Sequence, residues 1–449
     1  MNLGVSSLTE SINILQSELS VLISSNRDRL DEITRVRASQ ERIDKYISFL
    51  RDILSDSSLC YLNGTLSVFN GRHYISMGLD DAQDALHNLL LDDFGLGATD
   101  VRKIDKTPFI VVKKRQYAIE ENKVCFDNCV LDVSSGEVLP FDKDNHTDYV
   151  RPFRYDADVR YPQWKKFLNE VLPDEDEQSC LQEFFGMCFL DRSKLSVEKF
   201  AIMVGSGSNG KSVVCDVITA VIGEKRVSHF FPEQLMEDKK IVDVEGKRLN
   251  LAYDLPKRST FDSTLKALSS GQAVAGWKIY YGTIEVKCPP LVFALNELPN
   301  FRDLTNAFFR RVLLFSFDTV IAEERQDRGL AARIIANESA GVFRWMMEGL
   351  MRLKERKGMF TYCQKMATNL ENLKRRVRDE ESPVMQYLES AGLSVEPLWE
   401  GQEAMKIPAT TIFQGMGCRL SMNAIARELT AMNVRRERGT EIRYYLYKR

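Results

Sequence analysis

The sequence predicts an α/β protein built on a parallel sheet, and three observations carry that prediction. Four short, almost wholly apolar runs, Phe200–Val204 (FAIMV), Leu249–Tyr253 (LNLAY), Leu291–Leu295 (LVFAL) and residues 312–317 (VLLFSF), have the length and continuity of strands buried on both faces. The segments between them are long enough for helices or crossovers. The first run leads into Gly205-Ser206-Gly207-Ser208-Asn209-Gly210-Lys211-Ser212, which fits the phosphate-loop pattern G-x-x-x-x-G-K-[ST], with a helix-like stretch at 213–222 behind it.

The bulk properties bound the rest. At 449 residues the chain has room for about two to four domains. Hydrophobic residues at 44% and charged residues at 28% exclude wholesale disorder. A net charge of −3 means that any nucleic-acid surface must be local. No apolar run approaches the roughly 18 residues of a membrane span. The opening MNLGVSSLTE lacks the basic patch and apolar core of a signal peptide, so the expectation is a cytoplasmic protein with no membrane partner. The nine cysteines are scattered, and their closest pair, Cys125 and Cys129, has no second pair at metal-ligand spacing. A disulfide scaffold and a zinc ribbon are therefore not expected. Four histidines without H-E-x-x-H exclude the common zinc hydrolase signatures.

Five regions follow. Residues 1–150 read as mixed α/β: helix to about 60, hairpins around Asn63-Gly64 and Asn70-Gly71, a helix over 81–98, and short strands over 109–138 with a turn at Ser134-Ser135-Gly136. Residues 151–195 form a helical segment ahead of the core, residues 196–335 the core itself, and residues 336–382 a further helical segment. Ser382-Pro383 marks a boundary, and 383–449 reads as a separate small domain.

The phosphate loop is the strongest signal. Glycines let backbone N–H groups turn inward around phosphates, and the helix N-terminus adds a favourable dipole. Lys211 is suited to neutralising β- and γ-phosphate oxygens, and the Ser212 hydroxyl to ligating Mg²⁺. Gly205, Ser206, Gly207, Ser208, Asn209, Gly210, Lys211, Ser212 and Val213 are the expected nucleotide contacts. A nucleotide hydrolase also needs a carboxylate at the end of a neighbouring strand. Asp254, directly after Leu249–Tyr253, is the best candidate, against the plain reading of a turn aspartate ahead of Leu255-Pro256. Asn296 ends the next apolar run and is placed to sense a γ-phosphate. Arg310 and Arg311 open the run VLLFSF, and one of them is a candidate arginine finger for a neighbouring subunit's nucleotide.

In this order the parts resemble the superfamily 3 helicases, closest to the phage, plasmid and poxvirus primase-helicase branch. The resemblance covers about residues 100–380. It rests on GSGSNGKS, LNLAYDLP, SSGQAVAGWKIYYGTIEVKCPP, LVFALNELP and AFFRRVLLFSF, together with the pre-loop segment YVRPFRYDADVRYPQWKKFLNEVLPDEDEQSCLQEFFGMCFL. It implies an AAA+-like ATPase core that uses ATP and Mg²⁺ and works as a ring, usually a hexamer, moving 3′→5′ on single-stranded DNA. It assigns Lys211 and Ser212 to the loop, Asp254 to the second motif, Asn296 to the sensor and Arg310 or Arg311 to the finger. The family's second motif often carries two adjacent acids or a glutamate. Here Tyr253 precedes a lone Asp254, which leaves open whether Asp254 holds the metal, orients water or does both.

Two segments are candidate DNA contacts. Residues 276–287 read as two strands about a turn near Gly282, at the position of the family's DNA-contacting hairpin. Lys278 is suited to pairing with a phosphate, and Trp277 or Tyr281 to stacking on a base, the alternative being aromatics packed into a core. The tail, 415–449, carries eight Lys or Arg against three Glu, with a helix-like stretch followed by RRERGTEIRYYLYKR. That pattern resembles the end of a winged helix, with Arg435, Arg436 and Arg438 on the wing, the alternative being a solvated basic edge. The leading expectation is an ATP-driven replicative helicase of a phage, plasmid or other mobile element, acting on single-stranded and forked DNA beside a separate primase or polymerase. The alternatives are a ring ATPase that melts or packages DNA, and a nucleotide-switched origin-binding protein.

Overall fold

The structure is a computed structural model that describes residues 2–190, 195, 197–253, 260–261, 264–278, 282–298, 300–301, 306–381, 383–395, 397, 402–417, 420–431, 434–438 and 442–448. The N-terminal region gathers helices Asn2–Ser24, Ser39–Asp56 and Leu79–Asp92 around one apolar cluster, in which Leu15, Leu19, Ile23, Phe49, Ile53, Leu86 and Leu89 are buried at helical spacing. A small sheet lies against it, in the order Tyr74–Ser76, Thr65–Phe69, Cys60–Leu62 and Gln116–Tyr117. Asn63 and Gly64 both have left-handed φ, 47° and 77°, which suits a two-residue turn between the paired Leu62 and Thr65. The short strands expected over 109–138 are present as Gln116–Tyr117, Lys123–Phe126, Val130–Asp132 and Glu137–Leu139, although the stretch does not open on one. The β-branched run beginning at Thr107 is not a strand but a 3₁₀ helix, Thr107–Lys114. Pro108 sits in its first turn, and Phe109 and Val112, three apart, both face the apolar cluster.

A second small sheet, Glu137–Leu139, Val130–Asp132, Lys123–Phe126 and Val150–Arg151, sends Val124, Phe126, Leu131 and Val133 into the large central core. Arg151 fixes it there. This side chain is 2% exposed, donates to the Ile222 carbonyl at 3.1 Å and lies over the rings of Phe126, Tyr149 and Phe189. Burial pulls its pKa down to about 9.

Helices α1 (Pro162–Val171) and α2 (Glu175–Gly186) precede the central sheet, and α4 (Leu330–Glu355), which follows it, packs across both. Pro162 opens α1, whose free N–H groups at Gln163 and Trp164 are taken by the two oxygens of Glu338 on α4, at 3.0 and 2.9 Å. Asp174 caps α2 by accepting from Glu177 N at 2.9 Å. α2 and α4 approach through glycines. A Cβ at Gly186 would lie 2.3 Å from the Met346 oxygen, and one at Gly349 2.4 Å from the Gln182 backbone.

The central sheet has β1 (Phe200–Val204), β2 (Val227–Ser228), β3 (Leu249–Tyr253), β4 (Leu291–Leu295) and β5 (Val312–Ser316), ordered β2-β3-β4-β1-β5 and parallel throughout. Alternate residues split between two apolar layers. Ala201, Met203, Leu251, Val292 and Phe315 pack with α1, α2, α4 and α3 (Lys211–Ile222), whereas Phe200, Ile202, Phe293 and Leu314 pack with Leu235, Phe261, Phe308 and Leu373. This is why the runs read as continuously apolar. Helix α5 (Gln364–Glu381) lies against β5 and leads to the C-terminal unit. That unit has its own core, with Val384, Leu388, Ile412, Ile425, Leu429, Tyr444 and Leu446 buried. Its elements run helix (Pro383–Ser390), short strands, helices Ala409–Gly415 and Met422–Ala431, and a hairpin of Arg436–Arg438 with Ile442–Lys448.

Candidate nucleotide site and nucleic-acid surfaces

Between β1 and α3 the chain turns through Gly207 (φ 104°), Ser208 (φ 48°) and Gly210 (φ 86°). A Cβ at Gly210 would lie 2.6 Å from Val171 Cγ1 and 3.0 Å from the Phe167 ring, so only glycine suits both the backbone and the space against α1. Lys211, 7% exposed, folds back over the loop and donates to the Gly205 carbonyl at 2.6 Å and to Asn209 Oδ1 at 2.9 Å. Asn209 in turn donates through Nδ2 to the Phe317 carbonyl at 3.1 Å, tying the loop to the residue after β5. Residues beyond β5 cross back over the loop, where Ile321 N donates to the Ser208 carbonyl at 2.8 Å.

A cavity of about 660 Å³ opens at the C-terminal ends of the strands, between this loop, α1 and residues 321–333. Gly207, Ser208, Asn209, Gly210, Lys211, Ser212 and Val213 line it, and so do Tyr253 at the end of β3 and Asn296 just past β4. Gly205 and Ser206 begin the turn beneath it. A triphosphate fits this wall chemically, with inward-turned backbone, the start of a helix, a lysine and an exposed hydroxyl at Ser212. A bound nucleotide would supply a transferable γ-phosphoryl group, and Mg²⁺, which the Ser212 hydroxyl is suited to hold, would offset the phosphate charge. Among the described residues no cluster of three or more His, Cys, Asp or Glu is placed to hold a metal ion. Asp254 lies outside the described residues, one position beyond Tyr253.

Arg310 and Arg311 stand at the opposite end of the sheet, where β5 begins. The two differ. Arg311 is 9% exposed, donates to Glu198 Oε2 and to the Ala307 carbonyl, each at 2.6 Å, and is bound into its own chain. The Arg310 side chain is 66% exposed, with Glu198 at 3.6 Å.

The hairpin expected at 276–287 is present as Ala273–Lys278 paired with Gly282–Lys287, and Tyr281 lies outside the described residues. The Trp277 ring is 42% exposed, with Lys239 Nζ 5.4 Å from its centroid. Lys278 pairs with Glu245 at 3.2 Å, both half-exposed. In the tail, Arg435 and Arg436 are exposed. The Arg435 guanidinium stacks 4.6 Å from the Tyr445 ring, and Arg436 sits opposite the buried Tyr444. Arg438 is placed by its backbone opposite Ile442.

Sequence reasoning missed several residues of the cavity wall: Lys166 and Glu170 on α1, Asp216 on α3, and Arg325, Arg328 and Arg333 beyond β5. None belongs to a motif with fixed spacing, and only the fold brings them together. Among the described residues no helix is long and apolar enough to cross a membrane, and the eight described cysteines are buried thiols.

Comparisons with known proteins find likenesses of sequence and of fold. The "D5 N terminal like" domain family matches residues 101–173, the stretch that ends in α1. "Putative helicase L207/L206" of Acanthamoeba polyphaga mimivirus is 24% identical over 220 residues, which is 44% of this chain and 22% of that protein. The chain therefore spans about a fifth of the length of that relative. Among solved structures, the apo A form of the NrS-1 C-terminal region superposes with a TM-score of 0.50 at 14% identity, covering 89% of this chain and 98% of that one, which is a likeness of fold. A second apo structure, of NrS-1 residues 305–718, gives 0.49.

Proposed function

We propose that this chain, a member of the superfamily 3 primase-helicase family, is an ATP-driven replicative DNA helicase of a mobile element that works as a ring on single-stranded DNA, with 3′→5′ polarity as in the family it resembles. The observation that carries the reading is the convergence on one cavity of the phosphate loop, the end of β3 and Asn296 past β4. Lys211 holds the β- and γ-phosphates, Ser212 and Asp254 serve Mg²⁺ and the attacking water, and Asn296 senses the γ-phosphate. The strand order β2-β3-β4-β1-β5, with β4 between β3 and β1, supports an AAA+-like core.

Arg310 is the finger in this reading. Five residues of β5 separate it from the loop end of the sheet, roughly 16 Å at strand rise, so it is out of reach of its own site and free to enter a neighbour's. The hairpin carrying Trp277 and Lys278 joins β4 through Lys287, so a shift at Asn296 has a short path to DNA. The helix pair and hairpin of 383–449 support a winged-helix unit that grips duplex backbone through Arg435, Arg436 and Arg438. The ATPase region of 196–335 is flanked by helical segments 151–195 and 336–382, behind a mixed region 1–150 whose last sheet docks on the core. A separate primase or polymerase is the expected partner.

The test is strand displacement on a forked duplex, with ATP and Mg²⁺, by the full chain and by Lys211→Ala. Displacement that disappears in the variant supports the helicase. DNA-stimulated hydrolysis without displacement in the wild type overturns it in favour of a melting or packaging motor.

A further inference from the structure

The charged side chains on the cavity wall sort into two groups. Glu170 is held by Arg325 at 2.5 Å, and Asp327 by Arg333, with one nitrogen at 3.2 Å. Lys166, Asp216 and Arg328 also line the cavity, and among the described residues they take neither a hydrogen bond nor an ion pair. Two of these are cations, and the phosphates of a bound nucleotide account for them. Asp216 is the exception, because a carboxylate cannot face phosphate without repulsion.

Its position says what it can face. Asp216 lies four residues after Ser212, on the same face of α3, and five residues from Lys211, about 7.5 Å along the axis. The phosphates occupy the start of the helix, so the next part of the ligand along that face is the sugar. Asp216 is exposed on the open cavity wall, and the partial burial it has there raises its carboxyl above its ordinary value, with no donor to offset it. Among the described residues no protein donor reaches it, and a vicinal diol facing it in the cavity supplies two, matched to the two carboxylate oxygens.

We propose that Asp216 accepts the 2′- and 3′-hydroxyls of the ribose of a bound nucleoside triphosphate, which makes the cavity a ribonucleotide-selective site. This rests on the nucleotide-hydrolase reading above and goes beyond it by separating ribonucleotides from deoxyribonucleotides, a distinction that matters to a protein working among both. Glu170, also acidic, is already occupied by Arg325 and does not compete for the role.

The experiment is steady-state hydrolysis of ATP, 2′-deoxyATP, 3′-deoxyATP and inosine triphosphate by the full chain, Asp216→Ala, Asp216→Asn and Lys211→Ala, with thermal melting to confirm folding. A charged hydrogen bond lost from a site predicts a wild-type kcat/KM for ATP roughly 10- to 100-fold above that for 2′-deoxyATP. In Asp216→Ala that ratio should fall to within about twofold of one, with a larger loss on ATP than on 2′-deoxyATP, which keeps its 3′-hydroxyl, and Asp216→Asn should be intermediate. A wild type indifferent to the sugar, or a ratio unchanged in both Asp216 variants, overturns the proposal while leaving the hydrolase reading intact. So does an equal loss on ATP and 2′-deoxyATP accompanied by lost discrimination against inosine triphosphate, which would place Asp216 at the base. Failure of the wild type to hydrolyse any of the four beyond Lys211→Ala overturns both.

Discussion

Glu177 offers the sharpest quantitative test of how the site is braced. It is fully buried on α2 and accepts from Ser316 N at 2.8 Å and from Lys365 Nζ at 3.0 Å, so it clamps the last residue of β5, next to the Phe317 carbonyl that holds Asn209. Glu177→Ala leaves the Ser316 N–H buried without an acceptor, which costs about 1–3 kcal/mol, and removes about 1 kcal/mol of packed methylene. The full cost of breaking a buried ion pair does not apply. Lys365 is 29% exposed and retains Asp318 at 3.2 Å and the Ser316 carbonyl at 3.3 Å. The expected loss is therefore about 2–4 kcal/mol for Glu177→Ala and about 1 kcal/mol or less for Glu177→Gln, which keeps an acceptor for Ser316.

The pH dependence adds a second reading of the same residue. Burial pushes the Glu177 carboxyl up, against the pull of the Ser316 N–H and the Lys365 ammonium. With the folded value above the unfolded one, wild type should lose stability relative to Glu177→Gln as pH rises from about 4.5 through the raised value, and no further above it. Urea unfolding of the full chain between acid and neutral pH measures both effects. A Glu177→Gln loss equal to that of Glu177→Ala, or a stability difference that is flat across the acid range, would refute the reasoning.

Other outcomes follow from the same packing. Gly349→Ala places a Cβ 2.4 Å from the Gln182 backbone, and separating α2 from α4 should cost about 3 kcal/mol or more, read as a lower denaturant midpoint. Arg310→Ala should fold and bind nucleotide normally yet lose roughly 10³-fold or more in turnover, and regain part of it when mixed with Lys211→Ala subunits. Arg311→Ala should instead lower the melting temperature, with a loss of about 1–3 kcal/mol, because its two 2.6 Å contacts hold its own chain. Glu245→Gln releases Lys278 from a half-exposed pair, and single-stranded DNA affinity should rise about two- to threefold at low salt and not at high salt.

The sequence made some of this legible for physical reasons. A phosphate loop needs glycines, a lysine and a hydroxyl at fixed spacing, and strands covered on both faces need unbroken apolar runs, so β1, β3, β4, β5 and Lys211 were readable. Thr107–Lys114 was not. Its β-branched residues favour strand locally, but Phe109 and Val112 gain more by burying together beside Pro108. Arg310 and Arg311 are equivalent as letters, and burial alone distinguishes them. Lys166, Asp216 and Arg328 meet only because α1, α3 and the chain beyond β5 fold onto one cavity.

Helix α5 touches β5 near both of its ends. Asn369 Nδ2 donates to Ser316 Oγ at 2.9 Å beside the phosphate loop, and Lys374 Nζ lies 5.9 Å from the Phe309 ring beside Arg310. Its 18 residues make a rod about 27 Å long, and its far end is where the tail begins. A tilt of about 10° at the Ser316 rivet acts on the roughly 18 Å from Asn369 to the helix end and would sweep that end through about 3 Å, so the tail is the long arm of a lever whose pivot is the floor of the glycine-rich loop.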